Sequence, residues 1–234
     1  MSAPLPLQEA AGVPGWYGKL AILGDFAHRR LPPEWLRACE QWLSTAMPGA
    51  REALGERWLD VYLHAPLLRF GWAPGVLDRR WWFGLLMASC DSVGRYYPLV
   101  IAHPREQAPR DRIALDHLER WFEHLGQAAM RTLDDIGGSV EALESALQDA
   151  PAWPTAGRPA TLQTQAHETG TTHRLGRAAP LSHWLNAIAV QEFAERLDGC
   201  TLWWRVTPEG SGDTLAILRG LPDGPAFAAL LAGP

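Results

Sequence analysis

Apolar residues change their spacing along this chain, and each change predicts a different kind of element. The run Trp16 to Leu23 (WYGKLAIL) predicts a first strand. After Pro32-Pro33, the stretch EWLRACEQWLSTAM puts Trp35, Leu36, Cys39, Trp42, Leu43 and Ala46 on one helical face, and Pro48-Gly49 is expected to end that helix. A second helical stretch, REALGERWLDVYL, turns Leu54, Trp58 and Val61 or Tyr62 inward.

The period then shifts from helical to extended. LLRFGWA (67–73), WWFGLLMA (81–88) and YPLVIAH (97–103) predict three short strands separated by turn residues. In the second, Trp81, Phe83, Leu85 and Met87 point one way, and Trp82, Leu86 and Ala88 point the other. In the third, Tyr97, Leu99 and Ile101 oppose Val100 and Ala102. Strands apolar on both faces are covered on both faces, so helices are expected on each side. The connections PGVLDRR and SCDSVGRY are too short for a parallel crossover of about a dozen residues. An antiparallel meander follows, and Rossmann or flavodoxin-like folds are excluded.

A long helix is expected from an Asp111 cap to about Leu133, with Leu115, Leu118, Phe122, Leu125 and Ala129 as its stripe. Gly137-Gly138 stops it, and Ser139 caps a shorter helix, VEALESALQD. Residues 151–180 read as an irregular connection with one short strand around Thr171 to Leu175. Ser182 then caps a helix carrying Trp184, Leu185, Ile188, Ala189, Phe193 and Leu197. TLWWRV and TLAILR, joined by PEGSGD, form a hairpin that is expected to complete the same sheet, because two strands alone are not stable. The fold class is therefore α/β in the α+β sense, an antiparallel-rich mixed sheet with helices on both faces. The expected organisation is a loose tail over 1–14 and one domain over 15–234. Within that domain, 15–150 is the core, 151–180 the connection and 181–234 a helix plus hairpin.

Composition narrows the function classes. The 234 residues are 47% hydrophobic and 20% charged, with 21 Lys and Arg against 26 Asp and Glu and a formal net charge of −5. That is a globular composition, and it lacks the cation excess of a general nucleic-acid binder. No run approaches the roughly 18 apolar residues of a membrane span, and Met1 to Gln8 do not read as a secretory signal. Cys39, Cys90 and Cys200 are widely spaced, which favours reduced thiols in a cytoplasm. Twelve Trp are present. Most are expected in the core, and some could anchor a partner.

Catalytic patterns are missing. Among His28, His64, His103, His117, His124, His167, His173 and His183 there is no HExxH or i, i+4 pair, so no metal or cofactor is expected. His117 and His124 share a helix face that is expected to be solvated. There is no GxSxG, GxxxxGK[ST] or GxGxxG. Two loops remain. Gly24-Asp25-Phe26 with Arg29 and Arg30 follows the first strand, where Gly24 allows positive φ. Asp91 to Arg95, with Gly94 as a turn residue, joins the two central strands. Arg95 borders a doubly buried strand and needs an anionic partner, either Asp25 or Asp91. The two loops should meet at one rim of the sheet. Phe26 either tucks into the core or presents an aromatic hot spot beside Arg29 and Arg30.

In these segments the chain resembles the TagF (ImpM) family of type VI secretion accessory proteins. The resemblance rests on GWYGKL…GDFxxRRLP at 15–32, APLLRF…PG at 65–75 and DSVGRYYPL at 91–99, and extends weakly to 202–204 and 220–222. The chain departs from the family at Ile22-Leu23, where the family usually has Pro-Ser or a similar pair before its GDF, and at Ala88-Ser89-Cys90-Asp91, where it usually has Pro-Ser-Val-Asp. The resemblance implies kinship with longin domains and no enzymatic activity. It also implies a cytoplasmic repressor acting after translation on the forkhead-associated scaffold of the secretion system. The rival class is an anion-binding or hydrolytic site built from Asp25, Arg29, Asp91 and Arg95.

Overall fold

The computed structural model of the chain describes residues 12–109, 112–133, 139–152, 162–167, 170–175, 181–205 and 214–233. In chain order the first half holds β1 (Gly15–Gly18), β2 (Ala27–Arg29), α1 (Pro33–Leu54), α2 (Trp58–Leu63), β3 (Leu68–Trp72), β4 (Trp81–Met87) and β5 (Leu99–Arg105). The second half holds α3 (Arg112–Met130), α4 (Val140–Gln148), β6 (Leu162–His167), β7 (Gly170–Leu175), α5 (Leu181–Leu197), β8 (Cys200–Arg205), β9 (Thr214–Arg219) and α6 (Gly224–Ala232). Seven strands make one sheet in the order β2-β1-β5-β4-β3-β8-β9. Every ladder among them is antiparallel, the limiting case of the antiparallel-rich sheet expected. The meander β3-β4-β5 and the closing hairpin β8-β9 both stand where the spacing put them.

Alternation on the central strands builds two cores. Trp82 and Leu86 of β4 join Phe70, Trp72, Val100 and Trp203 against α1 and α6. Trp81, Phe83, Leu85 and Met87 join Leu99 and Ile101 against α3 and α4. Tyr97 packs with the first group rather than with Leu99, because the β5 ladder begins only after Pro98. The indoles are mainly core: Trp16, Trp35, Trp72, Trp82, Trp121 and Trp203 are all fully buried. Each such ring removes about 150–250 Å² from water, worth roughly 4–6 kcal/mol before entropy.

Several expectations are corrected. The first strand ends at Gly18 rather than Leu23, and α1 runs through Pro48 to Leu54. A proline removes one helix hydrogen bond, yet the buried stripe continues beyond it at Ala50 and Leu54. Gly49 there lies against Gly224, where a Cβ on either residue would approach the other backbone within 2.9 Å, so α6 docks directly across the kink-prone turn. The helix α6 itself was not expected, since GPAFAALLA is apolar all round and carries no stripe; Asp223 caps it through Oδ1 to the Ala226 amide, 2.9 Å.

On α3, Leu115 is exposed, and Ala114, Trp121 and Ala128 complete the buried face instead. Ser139 caps α4 as expected, accepting from the Ala142 amide at 2.9 Å. The helix α5 starts at Leu181, so Ser182 lies inside it; Phe193 and Ala189 are exposed while Leu197 is buried. The expected connection contains two strands, β6 and β7, paired in a separate sheet, because the polar run LQTQAH offers no apolar face to read. Of the expected tail, Val13 packs on the second core and Pro14 is buried. Residues 1–11, the Asp111 cap, Gly137-Gly138 and the side chains of Trp184 and Leu185 lie outside the described residues.

His103 is buried opposite Phe83, and burial, with Arg105 nearby, pulls its pKa down to about 4. The imidazole is neutral in the fold, so protons bind the unfolded chain first as the pH drops. His103 should therefore cost the protein about 2 kcal/mol of stability on acidification from about pH 7 to about pH 5. Denaturant melts across that range measure it, and His103→Leu should flatten this part of the profile.

Candidate functional site

The chain leaves the sheet at Gly18, which takes φ 134°; a Cβ there would sit 2.1 Å from the Pro98 carbonyl oxygen. The positive φ expected of Gly24 belongs to this residue instead. Leaving the sheet turns Lys19 inward. Its Nζ lies 2.8 Å from Oδ2 of Asp91, and the two side chains are 6% and 0% exposed. The same ammonium stands 4.9 Å over the Phe26 ring. Lys19 is the one lysine of the sequence, against twenty arginines. That lone cation inside an apolar run was the signal that sequence reasoning passed over.

Asp91 organises its own loop. Oδ2 also accepts from Arg95 Nε at 2.6 Å, and Oδ1 accepts from the amides of Val93 at 3.1 Å and Arg95 at 2.9 Å. The turn closes through Gly94, at φ 82°, whose amide donates to the Asp91 carbonyl. Arg95 then reaches across to the Gly24 carbonyl at 2.6 Å, and the Ser92 amide donates to the Leu23 carbonyl at 2.9 Å. The two loops thus meet as expected, and Arg95 pairs with Asp91. The buried cation, however, is Lys19: the Arg95 side chain is 57% exposed. Below, Ser89 Oγ donates to the Lys19 carbonyl and Tyr62 donates its hydroxyl proton to the Ser89 carbonyl.

Phe26 takes an intermediate position between the two readings offered for it. It is 47% exposed, with one face stacked on Tyr17 at 6.0 Å and its edge set against Tyr97 at 4.7 Å. Ile22, Val93 and Tyr96 on the same two loops are exposed as well. Asp25 is exposed and accepts from the Phe26 amide. Arg29 and Arg30 do not join the Asp91 cluster. Arg30, held at φ 59°, donates to the Pro14 carbonyl and forks onto Glu144 of α4, which also accepts from Trp16 Nε1. Arg29 lies 3.9 Å from the same carboxylate.

Chemically, the Asp91 carboxylate is saturated, each oxygen accepting two hydrogen bonds. Burial pushes the Asp91 carboxyl upward, but donation from Lys19, Arg95 and Val93 outweighs it and holds the group well below the usual carboxylate range. Burial raises the phenols of Tyr17, Tyr62 and Tyr97, so none is a base near neutrality. The Cys39 thiol is pushed up in the same way. His124 bonds the Ala146 carbonyl at 2.6 Å between α3 and α4, so that helix face is not the solvated one expected. Among the described residues, no three His, Cys, Asp or Glu side chains gather as metal ligands, and no helix is long and apolar enough to cross a membrane.

Comparison with known proteins sets this α+β chain among type VI secretion system-associated proteins. It belongs to the TagF family: the model of the TagF N-terminal domain matches residues 15–150, which contain both rim loops. Among solved structures it is similar to PA0076 from Pseudomonas aeruginosa PAO1, with 34% identity, 94% of each chain covered and a TM-score of 0.74. No curated protein matches it.

Breaking the Lys19–Asp91 pair removes the buried one of the two cations that face Asp91 and leaves Arg95 at the solvent side, so Lys19→Ala should lower Tm by on the order of 10 °C. Lys19→Arg should not restore it, because a planar fork does not fit where a compact ammonium sits between a carboxylate and a ring. Arg95→Ala, at a half-exposed site, should cost about 1 kcal/mol or less. Calorimetry on the three variants separates these outcomes. Because the Asp91 pKa is depressed on folding, its stabilisation is present above about pH 4 and is lost as the pH falls further.

Proposed function

We propose that this chain is a non-enzymatic, cytoplasmic negative regulator of type VI secretion, acting by stoichiometric binding to a forkhead-associated scaffold protein of the system. The reading extends the family's association with the secretion system to a mechanism. The observation that carries it is the rim, where Ile22, Phe26, Val93 and Tyr96 stand exposed on two loops locked from beneath by Asp91. A preorganised apolar surface rimmed by guanidinium suits a protein partner, since little ordering entropy remains to be lost on binding. Gly24, Asp25, Phe26, Asp91, Gly94 and Arg95 shape or form the contact; Arg29 and Arg30 are tied to Glu144 and contribute from its border. The chain from 15 to 234 acts as one unit in this reading.

The rival anion site loses support from the same geometry. Both Asp91 oxygens are taken by Lys19, Arg95 and two backbone amides, and Arg95 turns Nε to Asp91 and Nη2 to the Gly24 carbonyl. The groove between β9 and α6 is lined by neither of them, nor by Asp25 or Arg29.

Binding without turnover makes dose decisive. Overproduction should suppress secretion in proportion to occupancy, and deletion should raise it. In a pull-down of the scaffold, the double variant Phe26→Ala/Val93→Asp should bind at least about thirtyfold more weakly, the equivalent of about 2 kcal/mol. Parental binding by that folded variant would remove the rim as the interface.

A further inference from the structure

At the far end of the sheet from β2, the strand β9 pairs on its outer edge with no described strand. Beside it, between β9 and α6, runs a groove of about 320 Å³. Trp203, Ala216 and Leu218 line it from the sheet, and Ala226, Ala229 and Leu230 line it from the helix. The alanines hollow out a space that leucines would fill.

The charged group lining this groove is Arg205. Its residue is only 9% exposed, and among the described residues no carboxylate lies within ion-pairing distance of it. The other buried cations, Lys19 and Arg69, have carboxylates at 2.8 and 2.6 Å. Arg205 Nε donates to Thr214 Oγ1 of the paired β9 residue at 3.1 Å, which sets the guanidinium between β9 and the end of α6. Its other face lies against Gly233, where a Cβ would come within 2.2 Å of a terminal nitrogen. The α6 C-terminus offsets part of the charge through its dipole. A guanidinium buried to this degree is stabilised by an anion, which a ligand entering the groove can supply.

We propose that β9 and this groove receive an extended acidic segment of a partner protein, added to the sheet as a further antiparallel strand. An added strand lies about 4.8 Å beyond β9 and satisfies its open amides and carbonyls. Antiparallel addition sets the C-terminal end of that segment beside Thr214, within reach of the Arg205 fork. Alternate side chains then fall on the groove face next to Ala216 and Leu218. The partner is recognised as apolar residues at every second position, followed on the same face by a carboxylate. This surface and the Phe26 rim occupy different edges of the sheet, so the two sites are independent.

The test uses an N-acetylated, C-terminally amidated hexapeptide with leucines at alternate positions and a final aspartate on the leucine face. A second peptide ends in asparagine, and decanoate serves as a free acyl carboxylate. The aspartate peptide should slow deuterium uptake at 214–219 and bind at least about tenfold more tightly than the asparagine peptide. That preference should vanish in Arg205→Gln. Ala229→Met, at an exposed helix position, should narrow the groove and weaken both peptides without disturbing the fold. Phe26→Ala should bind like the parent. The proposal is overturned by unchanged exchange at 214–219, by equal affinity for the two peptides, or by full binding in Ala229→Met. It is equally overturned if decanoate binds where the peptide does not, or if Phe26→Ala abolishes the binding.

Discussion

The Asp91 carboxylate and the Lys19 ammonium meet out of water, and most of what is distinctive about this protein's surface follows from that contact. It spans 72 positions of sequence, so it joins the exit of β1 to the turn between β4 and β5. Neither charge is stable there alone. Once paired, the carboxylate still has lone pairs free, and the amides of Val93 and Arg95 fill them. The turn is thereby fixed, Arg95 is aimed at Gly24, and the Phe26 ring is seated between the ammonium and two tyrosines. A polar framework of this kind works as a rigid pedestal for apolar side chains.

The pedestal stands on a sheet whose central strands, β3 and β4, have no wet face. Because both sides of β4 are covered, the strands between the edges have no freedom to slip, for a shift of one residue would exchange the two cores. Trp35 stacks on Trp72, and Trp42 meets Trp203 and Phe227, so helix α1 is locked to β3, β8 and α6 through rings, while the Trp42 indole also donates to the Pro222 carbonyl at 2.8 Å. Both proposed contact surfaces lie outside this packed centre.

How far the sequence could be read depended on whether a signal was local. The meander was legible because its connections are short and its strands alternate, and the Ser139 cap was legible because capping acts within one turn. Gly18 ended β1 early for a reason three strands further along the sequence, the Pro98 carbonyl. Pro48 did not end α1 because α6, absent from any periodic pattern, packs on the turn that follows it. The rim was legible in part: the two loops and the Asp91–Arg95 pair were expected, but Arg95 was cast as the buried charge. Its position beside a buried strand suggested that role, whereas its long side chain carries the guanidinium out to solvent. Lys19 had the better signal, a single cation set among apolar neighbours.

The place of β8 in the sheet has a consequence during synthesis. On one side β3 is paired by β4 almost as soon as it is made, but its other neighbour is Cys200–Arg205. At ordinary elongation rates the ribosome takes on the order of ten seconds to supply that strand. Through that interval Leu68–Trp72, buried on both faces in the finished fold, presents an open and strongly apolar edge. Such an edge is a template for pairing with other chains. A nascent or truncated chain that stops near residue 150 carries all the family's matched residues and yet leaves this edge bare. The last third of the chain is therefore a built-in shield, and its arrival ends the period in which the protein is most prone to aggregate.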